Sequence, residues 1–164
     1  MPRSDGELLA RWQGSVPAGD CTPLEFYVRV QERIIETEFD GLEFSEVTRR
    51  ERGVFSARRI YFRIRCHHLF FDLSAFVAGG RLTVGYWFHA DHPGIADLFS
   101  EVPGLRFAIN AFTGPDTYFR IDLLEAFQHL VHDSILAIVD ELSAEAGEIK
   151  LPDDDRPPVW EGIW

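Results

Sequence analysis

The chain is nearly devoid of lysine. Lys150 is the single lysine among 16 basic residues, and the other fifteen are arginine. Base composition of the coding sequence accounts for such a bias, although arginine also grips carboxylate and phosphate in a fork that lysine lacks. Cysteine is scarce too. Cys21 and Cys66 are too few for a disulfide framework and fit buried thiols in a reducing compartment. No stretch approaches the ~20 apolar residues of a membrane span, and the first twelve residues, MPRSDGELLARW, lack the apolar run of a secretion signal, so a cytoplasmic location is expected. Neither a Gly-x-Ser-x-Gly elbow nor a phosphate-binding glycine loop is present. No reaction is named by these residues, an enzyme is less expected than a binding protein, and no cofactor is expected.

What is present is a segregation of charge. Residues 49–90 hold Arg49, Arg50, Arg52, Arg58, Arg59, Arg63, Arg65 and Arg81 against only Glu51 and Asp72. Residues 1–48 carry four basic and ten acidic groups, and residues 91–164 carry four and fifteen, which leaves the formal net charge at −11. Such a chain repels nucleic acid and anionic membrane at long range, so only the arginine segment offers a contrary field. Either the acidic ends neutralise that segment or an anionic partner does.

With 164 residues and 46% hydrophobic content, one good core is available and two would each be marginal. The expected organisation is an N-terminal arm over 1–20, a single α+β domain over 21–151, and a tail rich in proline, aspartate and tryptophan over 152–164. Thr22-Pro23-Leu24-Glu25 reads as a capped helix start, with Thr22 as N-cap, Pro23 at the first helical position and Glu25 closing a capping box. That helix runs to about residue 38, with Leu24, Tyr27, Val28, Ile34 and Ile35 on one face. The period then changes to two. Strands are expected over 44–51, 59–66, 69–77 and 82–88, joined by short turns at His67-His68 and Ala78-Gly79-Gly80, which makes an antiparallel meander. A short helix over 95–102 and a short strand over 106–111 follow. The longest helix spans about 117–146, with a stripe of Leu124, Phe127, Val131, Ile135, Ile138 and Leu142 and Gly147 as its C-cap. The fold class is therefore α+β: a four-stranded antiparallel meander with an N-terminal helix and a long C-terminal helix packed on one face.

One face of the meander is uniformly apolar. The other carries Arg59, Tyr61, Arg63, Arg65, Phe70, Asp72, Phe76, Arg81, Trp87 and His89. Arginine interleaved with aromatics suits a protein interface, and the same mixture stacks bases and holds phosphates in nucleic-acid modules. The plainer alternative is a face covered by the chain's own acidic segments. The candidate binding residues are Arg59, Tyr61, Arg63, Arg65, Phe70, Phe76, Arg81 and Trp87, joined by Trp160 and Trp164 of the tail. Aspartates 153, 154 and 155 are expected to bring that tail onto the strand arginines.

The six histidines fall in three pairs. His67 and His68 sit in a turn, and His89 and His92 flank Asp91 at the end of the last strand, so His67, His68, His89, Asp91 and His92 form an alternative metal set for a metal-dependent hydrolase. On the long helix, Glu125, His129 and His132 share a side opposite the apolar stripe and read as a solvated face. The leading functional expectation is a small acidic binding module whose partner is another protein: an adaptor, an immunity or chaperone-like protein, or a subunit of a larger complex. Nucleic acid is the weakest partner class, no membrane partner is expected, and homo-oligomers are compatible with the sequence.

Overall fold

The computed structural model describes residues 6–50, 58–91 and 115–161. Its elements are strand β1 (Glu7–Pro17), helix α1 (Pro23–Ile35), strands β2 (Leu42–Arg50), β3 (Arg58–Cys66), β4 (Leu69–Ala78) and β5 (Arg81–Ala90), helix α2 (Pro115–Glu145), a 3-10 turn (Asp153–Asp155) and strand β6 (Val159–Trp160). The class is α+β with an antiparallel sheet. That sheet has six strands, in the order β2-β3-β4-β5-β1-β6, where the sequence pattern marks four. The expected helix over 95–102 and strand over 106–111 lie outside the described residues.

The two added strands correct the reading of both chain ends. Residues 7–17 are an eleven-residue strand whose Leu9, Ala10, Trp12 and Val16 are buried, and not an arm. Its alternation is obscured by a bulge between Leu8 and Ala10, which shifts the inward parity by one residue before Trp12, and by Gly14. Gly14 has a packing reason. A Cβ there would meet the Trp12 ring at 2.7 Å, so the indole lies across bare backbone. The tail likewise supplies a regular element: Trp160 pairs with Ala10 and Val159 with Arg11.

Local chemistry explains the predicted elements. Thr22 Oγ1 accepts a hydrogen bond from the Glu25 amide at 3.1 Å with Pro23 at the helix start, while the Glu25 carboxylate turns forward to Arg29 instead of back to the cap. Gly147, at φ 72°, closes α2: its amide donates to the Ala144 carbonyl and the next amide reaches back to Ser143. The β4–β5 turn needs positive φ at both Gly79 and Gly80, which glycine adopts without steric cost.

The apolar face of the sheet and the helices share one cluster, in which Phe62, Ile64, Phe71, Leu73, Val84, Tyr86 and Phe88 lie with Phe26, Val30 and Ile34 of α1 and the whole expected stripe of α2. Phe71 stacks on Phe88 at 4.3 Å, and Phe127 meets the Phe71 ring edge-on at 5.2 Å. The expected face of α1 is only partly right. Tyr27 and Ile34 are buried, but Leu24, Val28 and Ile35 are exposed, and Phe26 and Val30 take the inward places.

His132 corrects the reading of α2. Glu125 and His129 are exposed as expected, whereas His132 is buried, with its Nδ1 3.0 Å from the Tyr86 hydroxyl and its ring edge-on to Trp12 at 5.9 Å. Residue 132 follows Val131 on the helix, and Trp12 of β1 and Tyr86 of β5 meet its ring, so its side chain is enclosed by tertiary neighbours that helical spacing does not disclose. Burial holds its imidazole below the ordinary range and pushes the Tyr86 phenol up.

Two outcomes are expected. The folded state keeps His132 neutral while the unfolded chain takes up the proton first as pH falls, so its stabilising contribution is complete above about pH 6.5 and declines below it. Urea unfolding between roughly pH 7 and 5 should therefore show falling stability, with a shallower slope in His132→Phe. Truncating Phe127 to alanine should cost about 3–5 kcal/mol in the same assay.

Candidate functional site

The face of the sheet opposite the aromatic cluster divides into a closed end and an open end. At the closed end, register places Ser45, Arg63, Asp72, Trp87 and Arg11 in one row across β2, β3, β4, β5 and β1. Asp72 is buried, and its carboxylate accepts from Arg63 Nε at 2.7 Å, Arg63 Nη2 at 2.9 Å and Arg49 Nη2 at 2.7 Å. Phe70, fully buried, lies beneath the guanidinium of Arg63 at 4.2 Å and stacks on His89 at 5.0 Å. Arg65 lies 5.0 Å from the same ring and is ion-paired to Asp91. A small cavity of ≈ 160 Å³ is bordered by Arg49, Tyr61, Asp72, Trp87 and His89. Burial keeps the His89 imidazole below its ordinary range, and its Nδ1 is buried without a hydrogen-bond partner.

The open end arises because β3 and β4 part company. Their ladder runs from Cys66/Leu69 only as far as Phe62/Leu73, while β3 remains paired with β2 to Arg58 and β4 with β5 to Ala78. Tyr27 of α1 stands in the gap. Its hydroxyl accepts from the Ala75 amide at 2.8 Å and donates to the Ile60 carbonyl at 3.5 Å, supplying both strands with a partner where their own rung is missing. Its ring stacks at 5.4 Å on Phe62, where the pairing of β3 with β4 ends. A groove of ≈ 590 Å³ lies to one side, lined by Arg11, Gln13, Arg59, Tyr61, Phe76, Thr83 and Trp87 among others. A second cavity of ≈ 570 Å³ is lined chiefly by Leu24, Tyr27, Ile60, Ala75 and Phe76. Arg59 reaches across the gap to the Phe76 ring at 5.4 Å.

The candidate binding residues therefore separate. Arg59, Tyr61, Phe76 and Trp87 gather around the open groove. Arg63 and Phe70 are built into the buried closed end, and Arg65 pairs with Asp91 there, because one buried carboxylate and one loop acid draw the guanidiniums inward. Arg81 sits at the far hairpin, paired to Glu148 at 3.2 Å. Trp160 packs edge-on against Phe88 at 6.5 Å, and Trp164 lies outside the described residues. The 3-10 turn of aspartates 153, 154 and 155 is tied to β1 and α2. The Asp155 carbonyl accepts from Trp12 Nε1 at 2.9 Å, and Arg156 makes a bidentate pair with Asp140.

The described members of the alternative metal set each have other surroundings. His67 is exposed at positive φ, the His68 carbonyl accepts from the Asp91 amide, the Asp91 carboxylate is engaged by Arg65, His89 is stacked on Phe70, and His92 lies outside the described residues. Among the described residues no three histidine, cysteine or acidic side chains converge as a metal site. Both thiols are buried, and burial pushes each above its ordinary range, with Glu25 adding to the rise at Cys21. No helix among the described residues is long and apolar enough to cross a membrane. Residues that sequence reasoning passed over are Tyr27, Leu24 and Ile60, which it placed on the helix and strand faces turned toward the core; no local signal marks the point at which two strands separate. No protein-family model, no curated protein and no solved structure matches this chain.

Removing the charge of Asp72 while keeping its shape leaves a buried Arg63 without its counter-ion. Asp72→Asn is expected to lose about 3–5 kcal/mol in denaturant unfolding, and reversing Arg63 to glutamate to unfold the closed end instead of leaving the fold intact.

Proposed function

We propose that this chain is a non-enzymatic protein-binding module that takes its partner at the open end of the sheet. The observation that carries the reading is the rim of that opening. Leu24, Ile60 and Phe76 are 63%, 55% and 40% exposed, a concentration of large apolar side chains where two strands leave their ladder. Clustered apolar exposure beside concave walls is a common mark of association. Arg59, Tyr61 and Trp87 extend it with the residue types that dominate interfacial energetics. The reading takes α1 and α2 as both seated on the apolar face, so that the arginine-aromatic face remains for a partner.

The rival readings have less support. Arg49 and Arg63 are engaged with Asp72, Arg65 with Asp91 and Arg81 with Glu148, so half of the segment's eight arginines already have acidic partners within the chain. For a metal-dependent hydrolase, no three histidine, cysteine or acidic side chains converge among the described residues.

Panning a displayed library of random peptides on the purified chain tests the proposal. Replacing Ile60 and Phe76 together by glutamate should leave the melting temperature within a few degrees, since both are exposed, and weaken the selected binders at least ~10-fold, a loss of about 1.4 kcal/mol. Equal binding by the double variant would remove this surface from consideration.

A further inference from the structure

The opening between β3 and β4 has an unpaired backbone edge as well as an apolar rim. In an antiparallel strand, the amide and carbonyl of one residue point to the same side, and successive residues alternate. The Ala75 amide points into the gap, because Tyr27 receives it there. Val77, two residues on, therefore presents both its amide and its carbonyl to the same gap, where β3 offers no partner because the ladder has ended at Phe62/Leu73. Val77 is 47% exposed, and Ser74 to Ala78 remain held on their other side by β5 from Gly85 to Arg81. A short, firmly supported strand with one open edge is a template for strand addition.

From this edge we infer that the partner binds as an extended segment that adds a strand to β4 at Ala75–Ala78, with apolar side chains at alternate positions. Alternation follows from the pleat, which sends successive side chains of an added strand to opposite sides. On one side lies the apolar cavity of Leu24, Tyr27, Ile60 and Ala75, with space for one or two branched aliphatic side chains. On the other lies the groove of Arg11, Arg59 and Trp87. Arg11 is already paired with Glu161 at 3.0 Å, and Arg59 shares the wall of the apolar cavity with Glu46, so charge selects neither sign and the apolar positions carry the recognition. The Tyr27 hydroxyl sets the inner limit, because it already occupies the rung next to Phe62/Leu73.

This inference rests on the protein-binding reading and adds the mode of recognition, and the two fail separately. Val77→Pro removes the outward amide while the β4–β5 ladder, which uses the neighbouring residues, is kept; proline is tolerated on such edges. Peptides selected on the wild-type chain should show apolar residues at alternate positions. They should lose at least ~10-fold in affinity toward Val77→Pro at an unchanged melting temperature, and a similar factor when their own alternate amides are N-methylated on the wild-type chain. Peptides that lose affinity to the Ile60/Phe76 double variant but tolerate both N-methylation and Val77→Pro would overturn strand addition and leave the binding surface standing. Peptides indifferent to every one of these changes would overturn both. If Val77→Pro lowers the melting temperature, the N-methyl series alone decides the mode.

Discussion

Asp72 sits on β4 almost wholly out of water, and an ionised carboxylate there is tolerable only because Arg63 of β3 grips it through two nitrogens and Arg49 of β2 through a third. Burying unpaired charge is so costly that these three side chains must meet, which fixes the register of three strands on a face that has no aliphatic packing to do so. Phe70 completes the arrangement as the surface on which Arg63 and His89 rest. The arginine-aromatic face is therefore rigid at one end, and what happens at the other end is referred to that fixed point.

Beyond Phe62 the sheet changes character. A ladder that simply stopped would leave buried amides and carbonyls without partners, and the Tyr27 hydroxyl answers this by serving Ala75 as acceptor and Ile60 as donor. One phenol thus stabilises a gap that the backbone alone would close or solvate. The gap separates two wings, β2–β3 and β4–β5–β1, and the exposed Leu24, Ile60, Phe76 and Val77 are gathered along it. The same constraint that closes one end of the face against solvent makes the other end available for association.

Both chain termini reinforce the second wing. β1 runs the length of β5, and β6 together with the Trp12-to-Asp155 and Arg156-to-Asp140 bonds draws the tail along the outer side of β1. Trp12 is the joint: it stacks near Tyr86, meets His132 edge-on and covers Gly14. Through Trp12 the buried Tyr86–His132 pair and the tail share one packing unit.

Much of the fold was legible in the residues alone. Period-two alternation located β2 to β5 within a few residues, Thr22-Pro23 and Gly147 marked helix ends, and the stripe from Leu124 to Leu142 identified the buried side of α2, because each of these depends on neighbours a few positions apart. The segregation of arginine on one face was also legible. The outcome for each arginine was not. Arg63 is buried and Arg59 borders an open groove although both alternate identically, since the difference lies in where β4 places Asp72 and where it leaves the ladder. β1 escaped notice because a bulge and a glycine break its alternation, His132 because its enclosure comes from β1 and β5, and the β3–β4 opening because the hydroxyl that stabilises it belongs to a helix some thirty residues earlier in the chain. Sequence spacing determines which side chains share a face; only the meeting of distant segments decides which of those faces is buried, paired or left open.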